Sequence, residues 1–181
     1  MSARVNDTGR EVRILNAEDA TAYQVVRLQS LQDHPEAFAS SFEEEAQRTM
    51  EQVSQLLSSP SVTVFGAFEH GRLIGIVALI RNTRPKMQHR AAIGGMYVKS
   101  AARGRGAGKA LLDAAIGLAV ASPEIEDLAL EVTCGNESAR ALYSSAGFRS
   151  YGVNPRLLKI NGQYFDIESM ILSLREGKAH G

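Results

Sequence analysis

A basic, glycine-rich stretch is the part of this sequence best suited to bind a ligand. From Arg103 to Lys109 the chain reads Arg-Gly-Arg-Gly-Ala-Gly-Lys, between an apolar strand-like run and a helix-forming segment. Glycines at 104, 106 and 108 let a ligand touch the backbone, and the first amides of a helix have no partners within it. The helix dipole and the side chains of Arg103, Arg105 and Lys109 favour an anion there. We therefore predict a phosphate or pyrophosphate site at residues 103–109.

The spacing of this stretch argues against two common phosphate-binding motifs. A P-loop needs Gly-x4-Gly-Lys-Ser/Thr, but position 103 is Arg and Lys109 is followed by Ala110, so no hydroxyl is available for magnesium. The dinucleotide fingerprint Gly-x-Gly-x-x-Gly also fails, because the third glycine counted from Gly104 is Gly108 rather than residue 109. A protein that binds ATP through this loop is kept as a weaker alternative.

The bulk composition excludes several classes of function. The chain has 181 residues, 44% hydrophobic and 22% charged, with 20 basic and 20 acidic residues and a formal net charge of zero. No global field would attract nucleic acid or a membrane surface, and no apolar run is long enough to span a bilayer. One cysteine, Cys134, excludes an internal disulfide. The four histidines show no metal-ligand spacing, so we expect no metal. The single cysteine and the lack of an apolar signal region at the start lead us to expect a cytoplasmic location.

The elements around this stretch follow in the order strand, two helices, three strands, helix, strand, helix, two strands. This order indicates an α/β protein with a mixed sheet and helices on both faces. Paired glycines at 94 and 95 inside a strand suggest a β-bulge or the close approach of another backbone. We expect one domain at 11–174 between polar tails at 1–10 and 175–181. The predicted strands are 11–15, 62–68, 73–80, 91–98, 128–132, 157–160 and 165–174, and the predicted helices begin near 16, 42, 107 and 136.

Three motifs in this order resemble the GCN5-related N-acetyltransferases, the GNAT superfamily. The first is Arg-x-x-Gly-x-Gly at 103–108, directly after a strand. The second, at 136–148, reads Asn-x-x-Ala-x-x-Leu-Tyr-x-x-Ala-Gly-Phe and matches the family's segment over its whole length. The third, at 164–172, is similar to the family's closing strand. The resemblance covers roughly residues 11–174.

The resemblance implies a mostly antiparallel central sheet with a V-shaped splay between its fourth and fifth strands, 91–98 and 128–132. It also implies that acetyl-CoA is the co-substrate and lies in this splay. In the family's pattern, the strand before the loop contacts the pantetheine and the thioester, and the loop amides bind the pyrophosphate. An asparagine also bonds to the pantetheine arm. The corresponding residues are Met96, Tyr97, Val98, Arg103, Gly104, Arg105, Gly106, Ala107, Gly108, Lys109 and Asn136.

The implied reaction is attack of an amine on a thioester, which needs a base, an oxyanion donor and an acid for the leaving thiolate. Tyr143 matches the family's usual acid, although a core tyrosine is the alternative. Glu131 is the candidate base, because it interrupts an apolar strand where burial would raise its pKa. Its spacing to Tyr143 resembles that of acetyltransferases acting on ribosomal protein α-amines. Alternatively, Glu131 points to solvent, and a water chain is the base.

The acceptor is less well defined than the donor. A small amine, an amino acid, a polyamine, an aminoglycoside and a protein N-terminus all stay open, and a homodimer is plausible because sheet edges need covering. A basic loop at 81–90, which the family's ribosomal type lacks, is expected on the acceptor side, with a possible reach to the coenzyme's ribose phosphate. The main alternative to an enzyme is a non-catalytic acyl-CoA-binding or sensor module on the same fold.

Overall fold

The computed structural model describes residues 4–5 and 10–175, so most of the two predicted polar tails lies outside the described residues. Arg4–Val5 pairs with the strand that begins at Arg10, so the sheet starts before the predicted boundary at residue 11. The strands are β1 (Arg4–Val5), β2 (Arg10–Ile14), β3 (Val62–Glu69), β4 (Arg72–Arg81), β5 (Arg90–Val98), β6 (Asp127–Thr133), β7 (Arg149–Ile160) and β8 (Gln163–Ser173). The helices are α1 (Ala20–Asp33), α2 (Phe42–Ala46), α3 (Met50–Leu57), α4 (Ala107–Val120) and α5 (Glu137–Ser145).

All eight strands form one sheet in the order β1-β2-β3-β4-β5-β6-β8-β7. Neighbouring strands are antiparallel except β5 and β6, which are parallel and are joined through α4. A parallel pair needs a crossover connection, and a helix is the usual solution. The predicted mixed, mostly antiparallel sheet is confirmed, with the predicted fourth and fifth strands as β5 and β6.

Helices cover both faces of this sheet. On one face, α4 and α5 pack on the central strands, and Leu111, Leu112 and Leu128 are fully buried there. On the other face, α1 and α3 pack through Val26 and Val53. Because both faces are covered, β3 and β4 read as nearly continuous apolar runs rather than alternating ones. The sheet edge that carries β7 is the exposed part of the fold.

Local sequence signals explain most of the turns. The two hairpins turn at His70-Gly71 and Asn161-Gly162, and all four of these residues have positive φ, as a type I′ turn requires. The strand glycines also behave as predicted: the register between β4 and β5 shifts by one residue, and Gly95 has φ +61°. The predicted β-bulge in β5 is thus confirmed.

Two predicted elements have different bounds. The single helix expected from residue 42 to 57 is divided into α2 and α3, because Thr49 starts a new helix in which it and Gln52 cap each other reciprocally. The strand expected at 157–160 begins earlier, at Arg149. It contains Gly152 and Pro155, which sheets accept in an exposed edge strand such as β7.

Candidate active site

The central feature of the site is a gap between the two parallel strands. Within the described chain, β5 and β6 pair only from Arg90 to Ala92 and from Asp127 to Ala129. Both strands then continue, β5 to Val98 and β6 to Thr133, without further pairing to each other. Their diverging ends form the predicted V-shaped splay. Backbone groups on the inner edges of the gap are therefore available to a ligand.

The bulge at Gly95 sets which side chains of β5 point to each face of the sheet. Beyond it, Met96 and Val98 pack on the α4 face of the sheet, while Tyr97 is buried on the α1 face. The Tyr97 hydroxyl donates a hydrogen bond to Asp33 Oδ2 at 2.5 Å. Burial and the Asp33 carboxylate together raise the pKa of Tyr97 above its ordinary value. Of the three predicted contacts, Tyr97 can therefore offer only its backbone to a ligand on the α4 face.

The loop after β5 leads directly into the N-terminus of α4. One short 3-10 turn, Ser100–Ala102, is followed by Gly104 and Gly106 with φ of +72° and +83°. Gly106 is the N-cap of α4, and it has no side chain to bond the first amides of the helix. A Cβ added at Gly104 would meet no atom within 4 Å. The glycines are thus required by backbone conformation, and they leave the helix amides open, as an anion site needs.

A buried arginine braces this loop from the other end of the chain. The Arg10 side chain, 7% exposed, donates from Nη1 to the carbonyl of Arg105 at 2.5 Å and from Nη2 to Glu69 at 3.2 Å. Glu69 also pairs with the guanidinium of Arg105 at 3.1 Å. Sequence reasoning assigned residue 10 to a polar tail and missed this role, since no local pattern links positions 95 residues apart.

The basic side chains of the loop are engaged with protein groups. Arg103 Nε donates to the carbonyl oxygen of Val98 at 2.8 Å, and its Nη2 lies 2.8 Å from His34 Nε2. Lys109 pairs with Asp113 one turn along α4 at 2.6 Å. All three predicted basic residues stay exposed around the open amides. The loop therefore offers a positively charged rim with backbone donors at its centre.

Tyr143 lies on α5 in the core cluster on the α4 face. Its side chain is 6% exposed and meets the edge of the Phe148 ring at a centroid distance of 6.1 Å. The hydroxyl makes no hydrogen bond to any residue that the structure describes. Burial raises the pKa of Tyr143 to about 12. At neutral pH the side chain is therefore a protonated, unpartnered donor, which is the state a general acid requires.

Two polar contacts orient α5 over the gap. Asn136 is its N-cap and accepts a hydrogen bond from the Ala139 amide at 3.2 Å through its side-chain oxygen. This cap uses the oxygen, so the NH₂ group of the same side chain can still donate to a ligand. Arg140 pairs with Glu168 of β8 at 3.0 Å, and Glu168 is buried. Sequence reasoning did not identify this ion pair, because its partners lie on separate elements.

Glu131 faces the opposite side of the sheet from Tyr143. Leu130 and Val132 point into the core shared with Tyr143, so the intervening Glu131 points toward the α1 face by strand alternation. There its side chain is exposed, not buried as predicted, because it borders an open cavity of about 200 Å³. The burial on which its proposed basicity depended is therefore absent. The cavity is lined by Ala37, Phe38, Ala39, Glu131, Thr133, Leu157, Leu158 and Ile167.

The basic loop at 81–90 lies away from both sides of the gap. It connects β4 to the start of β5, the end at which β5 and β6 are paired, whereas the gap opens at the other end. Its last residue before β5, His89, accepts backbone hydrogen bonds from Glu126 and Asp127. The expected position of this loop on the acceptor side is therefore wrong, and its charges are distant in the sheet from the glycine loop.

Among residues 4–5 and 10–175, no group of three or more His, Cys, Asp or Glu is arranged to hold a metal ion. No helix in these ranges combines the length and apolar character that crossing a membrane demands. The open amides before α4, their basic rim and the adjoining gap suit a ligand that is anionic at one end and extended at the other.

Solved structures with the same fold are numerous, and three illustrate the likeness. An acetyltransferase of the GNAT family from Streptococcus pneumoniae has a TM-score of 0.80 and 24% identity, over 91% of this chain and 98% of that chain. A putative acetyltransferase from Salmonella typhimurium, solved with its cofactor acetyl-CoA, has a TM-score of 0.81 and 17% identity over 100% and 99%. A ribosomal-protein-alanine N-acetyltransferase from Brucella melitensis has a TM-score of 0.72 and 21% identity over 90% and 98%.

At identities of 17 to 24% these three structures show only a shared fold. The family is shown by a match between the sequence and a family model. The model of the acetyltransferase (GNAT) family matches residues 27–148, more than half of the chain. The match includes β5, the glycine loop, β6 and α5, which together form the gap and its surroundings. The resemblance drawn from the three motifs is thus confirmed, and the chain belongs to the GNAT family of acetyltransferases, whose acetyl donor is acetyl-CoA.

Proposed function

We propose that this protein is an N-acetyltransferase that transfers an acetyl group from acetyl-CoA to a primary amine by direct attack in a ternary complex. The observation that carries the proposal is the gap between β5 and β6. The open amides before α4 follow one of these strands, and Glu131 and Thr133 of the other strand line a cavity on the opposite face of the sheet. Two ligands could meet in this gap from opposite faces. Direct transfer requires such a meeting, because no covalent acyl-enzyme is formed.

The residues around the gap fit the coenzyme. The backbone amides at Gly104, Gly106 and Gly108 would bind the pyrophosphate, with the charges of Arg103, Arg105 and Lys109 around it. Backbone groups of Met96, Tyr97 and Val98 would line the pantetheine arm and the thioester, and the Asn136 amide would donate to the arm. When bound, acetyl-CoA supplies the activated acetyl group. The Tyr143 hydroxyl has no hydrogen-bond partner among the described residues, so it is free to donate to the sulfur of the coenzyme.

The proposed transfer couples formation of the carbon–nitrogen bond to three proton movements. The acceptor ammonium loses one proton to a water chain or to the exposed Glu131 carboxylate at the edge of the cavity, which frees its nitrogen lone pair. The nitrogen then bonds to the acetyl carbon as the carbon–sulfur bond breaks and the sulfur takes the bonding electrons. Tyr143 donates its proton to that sulfur and recovers one from the nitrogen, so the products are an amide, coenzyme A and one released proton.

The identity of the acceptor, the oligomeric state and the cellular location also belong to the proposal. A small molecule and a peptide N-terminus are both compatible with the cavity, and a homodimer would cover the exposed edge strand β7. We keep residues 11–174 as the proposed domain and the cytoplasm as its location. A non-catalytic acyl-CoA sensor would have the same loop and gap, and only turnover distinguishes it from an enzyme.

The first test is thermal unfolding with and without acetyl-CoA, coenzyme A and ATP. A ligand that binds only the folded state raises the unfolding midpoint by mass action. We expect both coenzyme forms to raise it, and ATP to have little effect because the loop lacks a magnesium ligand. A thiol-release assay with a library of amines then separates an enzyme from a sensor. A larger shift with ATP and magnesium would contradict the proposal.

The role of Glu131 has its own test. If this carboxylate accepts the proton of the acceptor, Glu131→Gln should abolish the acidic limb of the pH–rate profile of kcat/KM. Glu137→Gln, a matched change at an exposed position on α5, should leave the limb unchanged. If the limb persists in Glu131→Gln, the proton leaves through a water chain instead.

A further inference from the structure

The cavity beside Glu131 has one charged residue among mostly apolar walls. Of its eight described lining residues, Glu131 carries the one charged side chain, and the others are apolar except Thr133. The Thr133 hydroxyl donates to the carbonyl of Glu36 at 2.6 Å, so it is already engaged. The cavity thus presents a single carboxylate at its edge and apolar walls from Phe38, Leu158 and their neighbours.

Three cations near these walls are engaged with aromatic rings, and one of them also with a carboxylate. Arg156 and Lys159, which flank the two lining leucines of β7, lie against the Tyr164 ring at 3.9 and 5.1 Å from its centroid. Arg27 lies over the Phe38 ring at 4.8 Å and pairs with the buried carboxylate of Glu45 at 3.5 Å. None of these three cations lines the cavity that the structure describes. A carboxylate entering it would therefore meet Glu131 without a compensating positive charge.

From this arrangement we infer that the acceptor is a small primary amine on an apolar body, with no carboxylate next to the amine. The inference rests on the proposed acetyltransferase function and specifies its substrate class. The ammonium is attracted by Glu131, and the apolar body replaces water against Phe38 and the leucines of β7. A free α-amino acid shares both features, but its carboxylate is repelled by Glu131, and desolvating that carboxylate without a partner is costly.

Three acceptors of nearly equal shape test the inference: phenethylamine, phenylalaninamide and phenylalanine. We expect kcat/KM to be highest for phenethylamine and lower for phenylalanine by at least about tenfold, since two like charges at short range disfavour binding by this order. Calorimetric titration of each amine into the protein with coenzyme A bound gives a readout that needs no turnover. The affinity should likewise be highest for phenethylamine and lower for phenylalanine.

The possible outcomes separate this inference from the proposed function. If phenylalanine is acetylated as well as phenethylamine, the inference is wrong and the acetyltransferase proposal stands. If only phenylalaninamide is accepted, the site requires a carbonyl next to the amine, and the acceptor is of the peptide type. If other amines in the library release thiol but these three do not, the inference is again wrong. If no amine does so while coenzyme A binds, the proposed function itself fails.

A charge placed in the cavity should reverse the preference. Ala39 lies on an exposed loop position that lines the cavity, so Ala39→Arg adds the missing cation with little risk to folding. The ratio of phenylalanine to phenethylamine in kcat/KM should rise about tenfold in this variant. Ala46→Arg, which adds the same charge at an exposed position of α2 outside the cavity, should leave the ratio unchanged. An equal change in both variants would contradict the inference.

Discussion

The two sides of the gap between β5 and β6 are built in different ways. The proposed coenzyme side takes its anion-binding groups from one continuous segment, Lys99 to Gly108, in which backbone conformation does most of the positioning. The proposed acceptor side takes its walls from the segment after α1 and from β6, β7 and β8, which are far apart in the sequence. A ligand held by backbone amides needs glycines at fixed spacing, whereas a cavity between side chains needs only shape and charge at its surface.

This difference predicts that changes on the two sides should be separable. Changes to the glycine loop should alter coenzyme affinity, and changes to the cavity should alter the use of the acceptor. Only groups at the junction should alter the chemical step. Tyr143, which lies on the coenzyme face, is the strongest candidate for such a group.

Tyr143→Phe should produce the largest effect. Loss of a general acid lowers kcat by about 10²- to 10⁴-fold, while coenzyme affinity should change little because the ring still packs on Phe148. Steady-state thiol release gives kcat, and calorimetry gives the affinity. Tyr151→Phe removes an exposed hydroxyl from β7 and serves as the control. Equal losses of kcat and affinity would assign Tyr143 to packing rather than catalysis.

Gly106→Val should weaken coenzyme binding by about five- to thirtyfold, since a side chain in the left-handed region costs about 1–2 kcal/mol. Gly106 has φ +83°, so relief of this strain would move the first amides of α4. The same substitution at Gly117, in an open position of α4, is the control. Calorimetric titration with coenzyme A measures both variants. Unchanged affinity in Gly106→Val would mean that the loop is not the pyrophosphate site.

Phe38→Ala should raise the KM for an apolar acceptor by about fivefold, since the lost contact is worth about 1 kcal/mol for a partly buried ring. Coenzyme affinity should not change, because Phe38 is on the opposite face from the glycine loop. Phe42→Ala removes a similar, partly buried ring outside the cavity and should leave KM unchanged. A loss of coenzyme affinity in Phe38→Ala would contradict the separation of the two sides.

The smallest expected effect is on the pH dependence of kcat, at alkaline pH. Because burial raises the pKa of Tyr143 to about 12, its proton is retained as the pH rises from 7 to 10. The stability that comes from burying the neutral phenol is likewise complete below about pH 10 and is lost only as the pH rises through about 12. A fall in kcat near pH 9 that disappears in Tyr143→Phe would contradict this environment.

The contrast between groups positioned by backbone conformation and walls built from distant segments also explains which predictions from sequence were accurate. The bulge at Gly95, the turns at His70-Gly71 and Asn161-Gly162, and the loop before α4 all depend on backbone conformations that few residues other than glycine and asparagine adopt. Such positions can be recognised one at a time. The edge strand β7 was only half predicted, because an exposed strand that contains Pro155 lacks the apolar alternation by which strands are recognised.

The errors concern contacts between distant segments. Arg10 reaches the glycine loop because β2 pairs with β3, whose end brings Glu69 beside Arg105. Strand alternation left Glu131 two possible faces, and only the packing of α4 and α5 on its neighbours decided that it is exposed at the cavity. The basic loop at 81–90 was assigned to the wrong end of the sheet, because strand order cannot be read from charge.

The sequence by itself determined the family and the conformation of the glycine loop, because both depend on residue types at short, fixed spacings. Only the tertiary structure decided that Tyr97 faces α1, that Arg10 supports the loop, and that Glu131 is the one charged residue lining a cavity. The physical reason is that short-range spacing constrains the backbone, whereas burial and charge environment arise only when separate elements pack together.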